Sequence, residues 1–275
     1  MPELPEVETT KNGIAPLIES QKITTINIRN AQLRWPVDIK LCKKLIGLSV
    51  LSVTRRGKYL ICDCGFLSFI IHLGMSGTLS VVPVGTAYKK HDHVEIIFEN
   101  NRCLRLNDPR RFGCFIVTEL PFQHKLLTKL GVEPLSRFFY ANYLFELAQK
   151  RQVNIKQFIM NSEIVVGVGN IYANEALFLS GLHPLTPCNQ LDKKQCLDLI
   201  RNIKSVLRAA IKQGGTTLKD FTNAEGKPGY FQQTLNVYGR KDLPCVECGT
   251  LLREIRVNGR STVFCECCQQ LANAN

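Results

Sequence analysis

VEIIFENNRCLRLNDPRRFGCFIV, residues 94–117, reads as three short strands joined by turns. Val94–Phe98, Cys103–Leu106 and Phe112–Val117 are β-branched, aromatic and aliphatic runs, which suit a half-buried pleated surface. Asn100-Asn101 between the first two predicts a hairpin turn. Working outward, Ile23–Ile28, Val50–Val53, Tyr59–Cys62 and Phe66–Ile71 have the same character. Many short strands with turn signals predict a sandwich or barrel. Ahead of them, Leu4, Val7, Ile14, Leu17 and Ile18 fall at near-helical spacing and predict a helix over Glu3–Ile18. Gly13 and Pro16 weaken its end.

Beyond residue 132 the pattern changes. Gly131–Ser136, with Pro134, reads as a linker. Asn142–Gln149, Ile155–Met160, Ile171–Ser180 and Asp192–Gln213 carry helical spacing, the last with Leu197, Ile200, Ile203, Val206, Leu207 and Ala210 on one face. Gly214–Tyr230 is rich in Gly, Thr and Lys and reads as a long functional loop. The chain divides into a β-rich domain (1–132), a helical domain (133–240) and a small cysteine-bearing module (241–275).

The 275 residues are 45% apolar, enough to bury real cores. No apolar run reaches the length of a membrane span. The N-terminus lacks the layout of a signal peptide, so a cytosolic location is expected. Lys and Arg outnumber Asp and Glu by 35 to 23, giving net charge +12. That excess fits a polyanionic partner, nucleic acid above all, although a merely basic protein shares it.

Twelve cysteines in a cytosolic chain read as thiols or metal ligands rather than disulfides. Cys245-x2-Cys248 and Cys265-x2-Cys268, sixteen residues apart, are two knuckles suited to tetrahedral Zn²⁺. A four-cysteine site is closed and therefore structural, and about 30 residues need the metal to fold. The spacing makes Cys267 the extra cysteine, although it could compete with Cys268. Leu251–Val257 and Ser261–Phe264 pair as a hairpin carrying Arg253, Arg256 and Arg260, either a solvated basic face or a DNA-facing finger.

Two further motifs are weak alone. Met1-Pro2-Glu3 would expose a secondary amine at Pro2 once Met1 is removed. With a reference pKa of roughly 7.7–8.0, such an amine is a nucleophile near neutral pH. The plainer reading is a helix start with Pro in its first position. Val165–Ile171 holds Gly167 and Gly169 ahead of a helix, which fits a phosphate cradle or merely a turn.

Together these residues resemble a known family. MPELPEVET at the start, RRGKYL at 55–60, IIHLGMSG at 70–77, KHDHV at 90–94, NDPRRFG at 107–113, VVGVGNIYANEAL at 165–177, GGTTLKDF at 214–221, GKPGYFQQTLNVYGR at 226–240 and the four-cysteine finger occur in order. The ordered set is similar to the bacterial formamidopyrimidine-DNA glycosylases, which repair 8-oxoguanine. The resemblance implies an α+β multidomain fold: an N-terminal β-sandwich with its helix, a helix–two-turn–helix module and a β-hairpin zinc finger, with duplex DNA between lobes. It implies base flipping, attack by Pro2 nitrogen on C1′, a Schiff base, and β- and δ-elimination. It implies one structural Zn²⁺, no redox cofactor, and a monomer.

The resemblance also assigns roles. Glu3 is the proton-transfer carboxylate beside the nucleophile, and Lys58 assists near the lesion. Met75, Arg110 and Phe112 fill the hole left by the flipped base, Arg110 meeting the orphaned cytosine and Phe112 wedging between base pairs. His72, His91, Asn170 and Arg260 bind phosphates, Arg260 also assisting the later elimination. Residues 216–230 cover the flipped base. Many relatives carry lysine where Arg151 stands, so charge is kept but contact geometry differs; Lys156 is the neighbouring basic alternative. Two other readings compete. One is the sister endonuclease VIII, which takes oxidised pyrimidines. The other is a non-catalytic zinc-containing DNA-binding protein, which has no use for the amine at Pro2.

Overall fold

The computed structural model describes residues 2–214 and 235–271. They form two compact units, one within residues 2–128 and one within 129–212 and 235–271. The lesion-covering loop expected at 216–230, and Met1, lie outside the described residues.

The first unit begins with α1 (Leu4–Ile18). Glu3 caps it in a reciprocal capping box: Glu3 carboxylate accepts from Glu6 N–H, and Glu6 carboxylate from Glu3 N–H. Pro5, not Pro2, occupies the first turn of the helix, so Pro2 stands outside it. Pro16 does not stop α1. Full burial of Ile14 and Ile18, worth about 1.5–3 kcal/mol each, compensates for its missing N–H.

β1 (Ile23–Ile28), α2 (Ile39–Lys43), β2 (Ser52–Arg56), β3 (Tyr59–Asp63), β4 (Ser68–His72), β5 (Thr78–Pro83), β6 (Asp92–Phe98), β7 (Arg102–Asn107) and β8 (Cys114–Thr118) follow. They make two antiparallel four-stranded sheets, ordered β1-β6-β7-β5 and β2-β3-β4-β8. Alternate residues from both sheets, including Leu60, Phe69, Phe115, Val94, Ile96 and Leu104, share one core with Val7, Ile14 and Ile18 of α1. That shared core makes the sheets a sandwich. The turn at Asn100-Asn101 has Asn101 at φ 58°, the left-handed backbone asparagine tolerates.

Register places the chemistry. Tyr59, His72 and Cys114 stand in line across one sheet, and Thr78, Asn107 and Asp92 across the other. The connections leaving those positions gather at one end of the sandwich. They are the turn carrying Lys58, the loop of Met75, the approach to β6 with His91, and the loop of Arg110 and Phe112. β8 starts at Cys114 rather than Phe112, because Gly113 closes this loop. A Cβ there would sit 2.5 Å from His72 O.

The second unit holds α3 (Ala141–Gln149), α4 (Ile155–Met160), α5 (Asn170–Leu179), α6 (Lys193–Lys212) and the hairpin β9 (Arg253–Val257) with β10 (Arg260–Phe264). The buried stripe of α6 is Cys196, Leu199, Ile200, Ile203, Leu207 and Ala210, so Leu199 replaces the expected Leu197. α5 is buried on nearly every side, as a central helix must be. Its Phe178 shares a small core with Val237 and with Leu252 and Val263 of the cysteine module.

Candidate active site and nucleic-acid interface

Pro2 is buried ahead of the cap, and Glu3 is only 2% exposed. Further along α1, Glu8 accepts from Lys11 Nζ at 2.5 Å and Arg55 Nε at 2.6 Å. Burial pushes the Glu8 carboxyl up, but these two cations outweigh it and the net shift is downward. Arg55 also donates to Gly57 O at 2.9 Å. One chain of bonds therefore locks α1 to the turn that carries Lys58.

His72 faces the same end. Its Nδ1 accepts from Gly74 N at 3.0 Å, which leaves the proton of the neutral ring on Nε2. Burial, then the nearby Lys58 and Arg34, push its pKa down to about 4. The ring is thus a neutral N–H donor near pH 7, not a cation. Tyr59 lies against it, ring centroids 4.7 Å apart.

The loops of Met75 and Phe112 are fitted together through glycines. Gly74 has φ 62°, and a Cβ on it would lie 2.5 Å from Phe112 C and Gly113 N. This close approach presents Met75 at 41% and Phe112 at 42% exposure, large apolar side chains that the core does not claim. Arg110 lies over the Phe112 ring at 4.8 Å. His91 is joined to this loop through the backbone, its carbonyl accepting from Asp108 N at 3.0 Å.

In the second unit Lys156 needs a correction. It is 1% exposed, donating to Ser261 O at 3.1 Å and Thr262 Oγ1 at 2.6 Å. Its ammonium is a buried tie between α4 and β10, not a surface group laid against a phosphate backbone. Asn170 Nδ2 donates to the same Ser261 carbonyl at 2.9 Å. The two side chains fix the strand that begins with exposed Arg260. Arg151 Nη1 donates to Leu147 O at 3.1 Å and its guanidinium stands 5.9 Å from the Phe158 ring. Arg151, Lys156 and Arg260 line one cavity of about 410 Å³ with Val153, Phe158 and Val257.

Cys245, Cys248, Cys265 and Cys268 converge, their sulfurs all within 4.8 Å of one another. Sγ–Sγ distances of 3.5 and 3.9 Å bracket the roughly 3.8 Å edge of a tetrahedron with 2.3 Å Zn–S bonds. The donor set and spacing fit Zn²⁺. Cys267 points out, exposed and outside the cluster. The other seven cysteines are buried free thiols outside this cluster.

Three organising residues escaped the sequence reading. Asp108, fully buried, accepts from Gly113 N at 2.8 Å through Oδ2 and from His93 Nε2 at 2.8 Å through its carbonyl. Glu175 accepts from the backbone N–H groups of Asn236, Val237 and Tyr238 at 2.8–2.9 Å, tying α5 to the segment that leads into the cysteine module. Arg105 pairs with Glu95 at 2.7 Å in a buried bridge that also holds Ala87 and Thr86. The available signal was a charge inside an apolar run: Glu175 in a buried helix, Arg105 and Glu95 in strands. A charge there must be paired.

Comparison with known proteins agrees with this architecture. Residues 1–115 match the formamidopyrimidine-DNA glycosylase N-terminal domain, 130–222 its H2TH domain, and 242–271 the zinc finger found in FPG and IleRS. The formamidopyrimidine-DNA glycosylase of Hydrogenovibrio crunogenus is 55% identical, covering 98% of this chain and 97% of that protein. That of Shewanella amazonensis is 53% identical over 98% and 99%. Among solved structures, MutM (Fpg) of Thermus thermophilus superposes with TM-score 0.88 at 34% identity, covering 98% of this chain and all of the other. The Lactococcus lactis Fpg bound to N7-benzyl-Fapy-dG DNA gives 0.90 at 34%, with the same coverage. With its sandwich, helical module and four-cysteine hairpin in that order and over nearly its whole length, the chain belongs to the bacterial formamidopyrimidine-DNA glycosylase family.

Proposed function

We propose that this protein is a bifunctional base-excision repair enzyme that removes oxidised purines from duplex DNA and cuts the strand. The observation that carries the reading is the N-terminus: Pro2 stands outside α1, next to a capped Glu3, on a helix bonded to the Lys58 turn. Once Met1 is removed, the Pro2 nitrogen pair forms a bond to C1′ as the C1′–base bond breaks, its electrons leaving with the base, which takes a proton. The Pro2 nitrogen loses its proton, and its lone pair then expels O4′ from C1′; O4′ takes a proton, the sugar ring opens, and the iminium (Schiff base) so formed activates β- and δ-elimination of the flanking phosphates. Glu3 moves protons, Lys58 assists near the lesion, and Arg260 assists the elimination.

On this reading residues 1–132 carry the chemistry, and 133–240 and 241–275 bind DNA. Met75, Arg110 and Phe112 occupy the void of the flipped base. Arg110, released from the Phe112 ring, hydrogen-bonds cytosine. His72 donates Nε2–H to a phosphate as a neutral ring, alongside His91, Arg151 and Asn170. Lys156 acts from behind, through the Ser261 carbonyl. One structural zinc sits on Cys245, Cys248, Cys265 and Cys268, without a catalytic role. Among the described residues no helix is long and apolar enough to cross a membrane. A chromosomal substrate places the enzyme, as a monomer, in the bacterial cytoplasm and on the nucleoid when bound.

Borohydride reduction during incubation with an 8-oxoguanine·cytosine duplex is expected to trap a covalent adduct mapping to Pro2. Correctly processed protein that gives no adduct would rule the reading out. A preference for thymine glycol over 8-oxoguanine would favour the pyrimidine-specific sister enzyme instead.

A further inference from the structure

The chain between β5 and β6 crosses a buried charged cluster that the reaction proposed above leaves unused. β5 and β6 are not neighbours: β7 stands between them, antiparallel to both. The chain leaves β5 at Pro83, opposite Arg102, and enters β6 at Asp92, opposite Asn107. Residues 84–91 therefore form a strap that runs back along the length of β7. It lies on the face away from the sandwich core, since Leu104 and Leu106 take the core side and Arg105 the other. On that outer face Asn27, Glu95, Arg105 and Ser80 stand in line across the sheet.

Arg105, 4% exposed, pins the strap. Its Nη2 and Nη1 donate to Thr86 O at 2.7 Å and Ala87 O at 3.1 Å, while Nε pairs with Glu95 at 2.7 Å. The Tyr88 hydroxyl donates to Glu95 Oε1 at 2.6 Å, and Asn27 Nδ2 to the same oxygen at 2.9 Å. Two guanidiniums meet the Tyr88 ring, Arg29 at 4.3 Å and Arg105 at 4.4 Å. At the far end, Asp92 accepts from Lys89 N and from Asn107 Nδ2, both at 2.8 Å. His91 therefore sits between two pinned residues, and its own carbonyl accepts from Asp108 N. Burying an ion pair gives little net stability, because desolvation offsets most of the attraction. What the planar, forked guanidinium supplies is direction.

We infer that Arg105 and Tyr88 are positioning residues for His91, fixing the strap so that the imidazole is presented to a DNA phosphate beside the lesion. Neither residue touches the substrate; both act through the strap. The inference rests on the reading of His91 as a phosphate ligand.

The test uses the zinc-loaded full chain, a duplex with a tetrahydrofuran nucleotide at the lesion position for affinity, and an 8-oxoguanine·cytosine duplex for kinetics. His91→Ala is expected to weaken binding roughly tenfold. Tyr88→Phe keeps the ring and loses the bond to Glu95, and is expected to weaken binding roughly threefold, the loss falling on KM rather than kcat. In a His91→Ala background Tyr88→Phe is expected to have no further effect. Arg105→Lys keeps the charge but gives up the forked hold on Thr86 and Ala87, and its loss is likewise expected to vanish without His91. A Tyr88→Phe loss that persists in full without the His91 side chain, or no loss where His91→Ala weakens binding, overturns the positioning role. Unchanged binding by His91→Ala overturns it too, since nothing is left to position. Adduct formation at Pro2 reads out separately. An adduct with additive variants sinks only this inference, and non-additive variants without an adduct sink only the repair reaction.

Discussion

At the scale of single residues, environment changes what a side chain can do. His72 belongs to a motif whose resemblance implies phosphate binding, and a histidine near phosphate is easily taken for a cation. Here burial and two neighbouring cations hold it neutral to about pH 4. The linkage has a definite sign. Between its unfolded pKa near 6.5 and about 4, the unfolded chain binds a proton that the folded ring refuses. His72 therefore leaves stability intact above pH 6.5, costs stability as pH falls through that window, and adds no further loss below it. NMR of the imidazole is expected to show no titration between pH 7.5 and 5.5; a midpoint near 6.5 would return His72 to the role of a cation. Lys156 teaches the same lesson. The residue type reads as a phosphate ligand, but two bonds to β10 make it a strut.

At the scale of elements, the site depends on how connections are clamped. The loops of Met75 and Phe112 approach so closely that Gly74 has no room for a Cβ. Gly74→Ala is expected to destabilise the first unit by about 2–4 kcal/mol, combining left-handed strain with a backbone clash. Gly65→Ala shares the positive φ but meets only Leu51 at 3.9 Å, and is expected to cost about 1 kcal/mol. Equal losses in thermal denaturation would mean that the loop contact contributes nothing. In the second unit, the Glu175 carboxylate satisfies three successive backbone amides. Glu175→Gln turns an acceptor oxygen into an NH2 facing those donors. About 3 kcal/mol of local stability is expected to be lost, read as faster amide exchange at Val237 and Tyr238. Unchanged exchange would show that the segment is held by its other contacts.

At the scale of the whole molecule, the two units respond to different forces. The first is held by one large core, and the hairpin of the second by a small core plus metal. Trp35, the only tryptophan, lies in the first unit. Stripping zinc with a chelator is expected to release one metal per chain and melt the hairpin's circular dichroism while Trp35 emission stays native. A hairpin that survives zinc loss would make the metal incidental to its fold. Much of this was legible in the sequence. Helices α3–α6 and most strands announce themselves by periodicity, because one buried face imposes period 2 or 3.6. The cysteine spacing names the metal, because four thiolates within reach satisfy a tetrahedron. β5 is short and follows a glycine-flanked turn, so its alternating Leu79 and Val81 mark it only weakly, and β8 starts at Cys114, two residues beyond the strand-like Phe112. Order in sequence determined the modules, the family and the candidate nucleophile. Only the tertiary structure decided that Phe112 and Met75 are exposed, that Lys156 is a buried tie, that His72 is neutral, and that Asp108 and Glu175 hold their loops. Those properties depend on neighbours from distant parts of the chain, whose burial and charge no local pattern records.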